Sequence, residues 1–61
     1  MKTVLQVICN QLGWQGGTLT QAIQAYKAMT LKEQQKVVDN CKDISENKAG
    51  KRELKLYYKG K

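Results

Sequence analysis

The polar and charged side chains of this sequence are suited to binding other molecules rather than to catalysing a reaction. Histidine is absent, so the usual proton shuttle of general acid–base catalysis is missing. The acidic residues lie on stretches of mixed charge, and neither Cys9 nor Cys41 has a base nearby in sequence that would make it a nucleophile. We therefore expect no catalytic residues, no cofactor and no enzymatic activity.

The two cysteines, Cys9 and Cys41, fall on the apolar faces of two different predicted helices. In a reducing compartment this placement favours buried free thiols that act as small apolar side chains, with a disulfide as the alternative. Because the chain has no histidine and no CxxC pair, we expect no metal site.

Positive charge is the clearest binding feature of the composition, and it is unevenly distributed. The chain has 11 Lys and Arg against 5 Asp and Glu, which gives a net charge of +6. Residues 1–29 carry two lysines and no acid, whereas residues 48–61 carry six basic residues and one acid. Such a basic tail attracts phosphate without reading sequence, and it also keeps a small protein dissolved, so both interpretations stay open.

Three threonines mark the starts of the helices that must position these groups. Thr3, Thr18 and Thr30 are each followed three residues later by Gln or Glu, which is the pattern of a capping box. In this motif the hydroxyl oxygen accepts from a free amide of the first turn, and each cap contributes about 1 kcal/mol. With apolar residues at helical spacing behind each cap, the sequence predicts an all-α fold with helices over 4–12, 19–28 and 31–44.

The spacing of the apolar residues also predicts which sides of these helices face the core. After the first helix, Gly13 is expected as a left-handed stop and Trp14 as a core anchor, with an exposed indole at a partner surface as the alternative. The residues expected to point inward are Leu5, Ile8, Cys9 and Leu12 in the first helix, Leu19, Ala22, Ile23 and Tyr26 in the second, and Leu31, Gln34, Val37, Val38, Cys41 and Ile44 in the third.

The stretch from Gln11 to Tyr26 resembles a helix-turn-helix DNA-binding motif. Leu12-Gly13-Trp14 matches the apolar residue, turn glycine and second apolar residue of such motifs, and the residues after Gly17 match a recognition helix. The resemblance implies a DNA-binding regulator. The sequence departs from the family at Thr18, because a helix capped there follows a connection, residues 13–18, that is longer than the usual tight turn.

The outer face of the second helix and the basic tail contain the groups that would contact DNA. Their side chains suit base edges and phosphates, although any solvated helix face carries the same residue types. The predicted DNA-binding residues are Thr18, Thr20, Gln21, Gln24 and Lys27 in the second helix and Lys51, Arg52, Lys55 and Lys59 in the tail.

The last segment, residues 51–59, is compatible with three structures. Leu54, Leu56 and Tyr58 alternate as they would in a strand, which would have to pair with a second copy of the chain. Leu54, Tyr57 and Tyr58 would equally share one face of an extra helix. The third possibility is a frayed terminus.

The alternative function is a small interaction protein that self-associates and binds a host protein. The opening Met1-Lys2-Thr3-Val4-Leu5-Gln6 and the tract from Gln11 to Thr18 resemble the short early-region accessory proteins of temperate lambdoid bacteriophages. That resemblance implies a protein that redirects host or lysis–lysogeny control by binding, in the host cytoplasm. The residues predicted to contact such a partner are Trp14, Tyr57 and Tyr58.

The length of the chain limits its organisation. We expect a three-helix domain over 1–46 and a basic tail over 47–61, and a body this small buries only about 60% of its unfolded surface, so a homodimer is a natural source of extra stability. No apolar run approaches the roughly 18 residues of a membrane span, so we expect a cytoplasmic location and no membrane partner. Between the two functions, the sequence slightly favours nucleic-acid binding.

Overall fold

The computed structural model describes residues 2–60, which form four α-helices and no strand. The all-helical class is confirmed, and the first two helices have the predicted bounds. None of the helices in this part of the chain is long and apolar enough to cross a membrane. The four helices are α1 (Val4–Leu12), α2 (Leu19–Ala28), α3 (Leu31–Cys41) and α4 (Lys48–Tyr57).

Threonine caps begin the first three helices, as the sequence predicts. Thr18 and Thr30 each form a complete capping box, in which the side chain of the third helical residue bonds back to the backbone of the threonine. Thr3 accepts from the amide of Gln6, but the Gln6 side chain donates to Asn10 instead, at 3.0 Å. The box predicted at Thr3 is therefore only half formed, and α1 has the weakest cap of the three.

The first helix ends at Gly13, which has the left-handed φ of 75° that glycine accommodates without strain. The amide of Trp14 donates to Cys9 O at 2.8 Å and that of Gly13 to Asn10 O at 3.3 Å, so carbonyls of the last turn are satisfied. The predicted left-handed stop is confirmed.

The third helix is shorter than predicted, because it ends at Cys41 rather than at residue 44. Its end tightens into short-range bonds, in which the amide of Lys42 donates to Asp39 O and that of Ile44 to Cys41 O. Ile44 is nevertheless buried, because the turn folds it back onto the core. Leu31, which was also predicted to face inward, is 48% exposed because it lies at the first helical position, one turn before the buried face begins.

The predicted three-helix domain is joined by a fourth helix, because the tail forms α4. Of the three structures considered for residues 51–59, the extra helix is confirmed. It follows Asn47, which has a φ of 56° and makes no side-chain cap bond, so α4 lacks the local cap that begins the other three helices. Burial stabilises this helix, since Leu54 is 4% exposed and Gly50 lies directly against Val4.

The core lies where α1, α2 and α4 meet and extends to α3. Leu5 and Leu12 were predicted to face it but only pack at its edge, because the buried face of α1 runs through Val4, Val7 and Ile8 instead. Both cysteines are buried and free, as expected. The buried apolar residues are Val4, Val7, Ile8, Cys9, Ala22, Ile23, Tyr26, Met29, Val37, Cys41, Ile44 and Leu54.

One polar side chain, that of Gln34, is fully buried in this core, as the predicted inner face of α3 requires. Its amide nitrogen donates to Tyr26 O at 2.9 Å and to Tyr57 O at 3.2 Å, and its oxygen accepts from the amide of Lys59 at 2.8 Å. Gln34 therefore joins the carboxyl ends of α2 and α4 through three hydrogen bonds.

Candidate nucleic-acid interface

The fourth helix carries a continuous row of positive charge. Lys48, Lys51, Arg52 and Lys55 recur at the i, i+3, i+4 and i+7 spacing that puts side chains on one face of a helix. Lys51 is half-buried and the other three are exposed. At 1.5 Å per residue, the row is about 10 Å long. We call these four residues the basic stripe.

The acidic residue of α4 lies away from this stripe. Glu53 belongs to a different side of the helix, together with Ala49 and Tyr57, and these three residues face α2 across a groove. No carboxylate on α4 therefore competes with a phosphate for the basic stripe. Lys51, Arg52 and Lys55 were predicted from the sequence as DNA contacts, whereas Lys48 was not, because it shares their face only in a helix.

Lys59, the remaining predicted basic contact, is used for packing. Its ammonium group donates to Met29 O at 2.6 Å, at the carboxyl end of α2, and its backbone amide donates to Gln34. A cation there is favourable because the carboxyl end of a helix carries partial negative charge. Lys59 therefore anchors the end of the chain and lies apart from the basic stripe.

Two of the residues predicted on the recognition face of α2 are occupied by the capping box. Gln21 Oε1 accepts from the amide of Thr18 at 3.0 Å, and Thr18 Oγ1 accepts from the amide of Gln21 at 3.2 Å. The function of these side chains is to begin the helix. Both residues are exposed, and the amide nitrogen of Gln21 is the donor that the box does not use.

The other three predicted α2 residues, Thr20, Gln24 and Lys27, line the groove between α2 and α4, which has a volume of about 340 Å³. Lys27 Nζ lies 4.1 Å from the centre of the Tyr57 ring, a cation–π contact that holds both side chains. These residues therefore face α4 on the side opposite the basic stripe. The structure brings together the two helices that the sequence analysis singled out, but not their predicted DNA-binding faces.

The aromatic residues predicted as partner contacts have different environments. Trp14 is 37% exposed and lies outside the core, so its prediction as a core anchor is wrong. The turn that follows α1 carries it outward, where its ring packs near Gly17 and lines an open depression with Gly16 and Gln21. Tyr57 and Tyr58 are half-buried, and the Tyr58 hydroxyl donates to Gln35 Oε1.

Two buried groups have shifted pKa values. Burial, with smaller contributions from Tyr58 and Cys41, raises the pKa of the Tyr26 hydroxyl from 10.0 to about 12. Burial also raises the pKa of the Cys41 thiol, against an opposing contribution from Lys51. Both shifts favour the neutral form, so neither group gains the reactivity of an ionised nucleophile at neutral pH.

Within residues 2–60, no group of three or more His, Cys, Asp or Glu side chains is arranged to hold a metal ion. Comparison of the chain with protein-family models, with curated proteins and with solved structures finds no match.

Proposed function

We propose that this protein is a non-enzymatic regulatory protein that binds DNA through the basic stripe of α4. The observation that supports this proposal is the alignment of Lys48, Lys51, Arg52 and Lys55 on one face of a helix, with the helix's acid turned away. Lysine and arginine on such a face neutralise phosphates and release the counterions condensed on the duplex.

The stripe predicts binding that is strongly dependent on salt. If all four cations contact phosphates, a plot of log K against log salt concentration has a slope of about −3.6. Contacts of this kind position the protein on a duplex without distinguishing one sequence from another.

Base recognition by Gln21 and Gln24 of α2 was expected because their amides suit base edges. Gln21 is used by the capping box and Gln24 lines the groove on the side opposite the basic stripe, so the proposal does not include base recognition by α2. The connection between α1 and α2, residues 13–18, is longer than the tight turn of a helix-turn-helix motif. We therefore assign most of the affinity to α4. The resemblance to phage early-region accessory proteins fits a regulator of this size.

Fluorescence anisotropy with a generic labelled duplex, at about 50 and 200 mM salt, tests the role of the stripe. A double variant, Arg52→Gln with Lys55→Gln, is expected to bind more weakly at both salt concentrations and to reduce the salt slope by about 2. The matched control removes the same charge from an exposed part of α3, with Lys32→Gln and Lys36→Gln. Equal weakening in both double variants would show that net charge, not the stripe, causes binding.

A second candidate function, the binding of a host protein by a self-associating chain, is favoured by the exposure of Trp14. An indole that is 37% exposed beside flexible glycines is typical of a residue that becomes buried at an interface. Sedimentation of the protein and of Trp14→Ala tests the self-associating form. A dimer that the substitution dissociates, without DNA binding at low salt, would favour this candidate over the first.

A further inference from the structure

A second concave surface lies between α3 and α4, on a different side of α4 from the groove that faces α2. It has a volume of about 280 Å³, and its lining is mainly apolar. Val38 and Cys41 from α3 and Leu54 from α4 form its floor. We call it the α3–α4 groove. A depression of this size accommodates a large aliphatic side chain.

Lysines lie on both sides of this floor. Lys42 directly follows α3, Lys51 and Lys55 come from α4, and none of the residues that line the groove is acidic. Asp39 pairs with Lys42 at 3.4 Å from outside the groove, with both side chains more than half exposed, so solvent screens this pair. The α3–α4 groove thus combines an apolar floor with a cationic rim.

The apolar floor and the cationic rim together indicate which kind of ligand would bind in the groove. An aliphatic or aromatic group on the apolar floor would remove both apolar surfaces from water, which is favourable. The three lysines favour carboxylates on either side of that group. The sugar–phosphate backbone of DNA offers anionic groups but no aliphatic side chain for the floor. An acidic amphipathic helix offers both, because its apolar residues form a ridge between acidic positions.

We propose that the α3–α4 groove binds an acidic amphipathic segment of a partner protein, with a leucine-type side chain on the Val38–Cys41–Leu54 floor and carboxylates beside Lys42, Lys51 and Lys55. This proposal does not require DNA binding. Lys51 and Lys55 also belong to the basic stripe, so where both ligands bind, the acidic segment displaces DNA.

The probe is a short fluorescent peptide of glutamates with leucine at every fourth position, and its twin carries serine in place of each leucine. We expect the leucine peptide to bind at least about tenfold more tightly than the serine twin, since the leucine side chain leaves water. Replacing the rim cations, as Lys42→Gln, Lys51→Gln and Lys55→Gln together, should weaken leucine-peptide binding about tenfold. The control of equal charge is Lys2→Gln, Lys32→Gln and Lys36→Gln, at three exposed lysines outside the groove.

Val38 separates this proposal from DNA binding, because it lies in the groove but not in the basic stripe. Val38→Gln should weaken leucine-peptide binding about tenfold and leave duplex affinity unchanged, whereas Lys48→Gln with Arg52→Gln should do the reverse. Circular dichroism identifies any variant that loses its fold, and Val38→Thr then replaces Val38→Gln, with a smaller loss in the same direction.

Three results would overturn the proposal and leave DNA binding standing. The first is equal affinity for the leucine peptide and its serine twin, which would indicate charge attraction alone. The second is full leucine-peptide affinity in both Val38 variants. The third is displacement of the peptide by decanoate at lower concentration than by unlabelled peptide, which would make the groove a site for small anionic amphiphiles. Loss of DNA binding alone would overturn only the function proposed above.

Discussion

The second and fourth helices are both ten residues long, but they begin in different ways. α2 begins with a complete capping box at Thr18, so its first turn is specified by residues next to it in sequence. α4 begins at Asn47, in the left-handed region and without a side-chain cap. The helix with the strongest local signal is therefore not the one that carries the basic stripe. The proposed binding surface depends on packing against the rest of the molecule.

Three contacts hold α4 in place. Near its start, Gly50 lies so close to Val4 that a methyl group there would meet Val4 Cβ at 3.1 Å. In its last turns, the Tyr26 hydroxyl donates to Leu54 O at 3.4 Å, and Gln34 bonds to the backbone of Tyr57. If α4 depends on these contacts as α2 depends on its cap, changes at the contacts should lower the free energy of unfolding more than the loss of a local cap does.

The largest effect is expected from Gln34→Leu. This change removes the Gln34 donor from the carbonyls of Tyr26 and Tyr57 and the acceptor of the Lys59 amide, while Tyr26 O keeps its bond from the Met29 amide at 3.0 Å. Unpaired buried groups cost about 1–3 kcal/mol each, and water reaches some of these, so we expect a total of about 3 kcal/mol. Thermal unfolding should show a Tm lower by roughly 15 °C.

The control for this prediction is Gln24→Leu, at an exposed position on α2. It makes the same chemical change without breaking a buried hydrogen bond. Similar Tm values for the two variants would mean that Gln34 does not join α2 to α4 as the hydrogen bonds indicate.

The next effect is expected from Gly50→Leu. The added side chain would start 3.1 Å from Val4 Cβ and 3.2 Å from Val4 Cγ1, and Val4 is fully buried, so α4 must move away from α1. Overpacking of this kind costs about 2 kcal/mol, measured as a lower urea midpoint. Ala49→Leu, on the exposed neighbouring position, is the matched control and should be nearly neutral. An unchanged midpoint for Gly50→Leu would show that the approach of α4 to α1 is loose.

The burial of the Tyr26 hydroxyl predicts a dependence of stability on pH. Folding raises the pKa of the Tyr26 hydroxyl from 10.0 to about 12. The hydroxyl therefore stays neutral to a higher pH in the folded protein than in the unfolded chain. The resulting stability is present below pH 10 and is lost as the pH rises towards 12, with a total of about 2 kcal/mol. Urea unfolding at intervals across this range measures it.

Because lysines titrate in the same range, the test compares the protein with Tyr26→Phe. The free energy of unfolding of the unsubstituted protein minus that of Tyr26→Phe should fall steadily from pH 10 to pH 12, because the Tyr26 hydroxyl ionises more readily in the unfolded chain than in the folded protein. A constant difference would mean that the Tyr26 hydroxyl ionises in the folded protein as easily as in water.

The difference between local caps and distant contacts also explains which parts of the fold could be predicted from the sequence. The bounds of α1 and α2 follow from Thr3, Thr18 and Gly13, which act on their own turns. The start of α4 does not follow, because the Asn47 side chain makes no cap bond and the contact of Gly50 with Val4 joins segments far apart in sequence.

The candidate site was likewise only partly predictable from the sequence. Lys51, Arg52 and Lys55 are recognisable as cations in the sequence, but the stripe that unites them with Lys48 exists only in a helix. The position of Trp14 was also beyond local reasoning, since a turn of several residues decides whether a side chain points towards the core or away from it.

The smallest predicted effect tests the two helix starts directly. Thr18→Ala removes the hydroxyl that accepts from the Gln21 amide, and it should lower the free energy of unfolding by about 1 kcal/mol. Asn47→Gly removes a side chain that makes no cap bond and places glycine where φ is 56°, so a change below about 0.5 kcal/mol is expected. Urea unfolding of both variants measures the difference. A loss at Asn47 as large as that at Thr18 would mean that α4 has a local start signal after all, and the basic stripe would then depend less on the core than its contacts indicate.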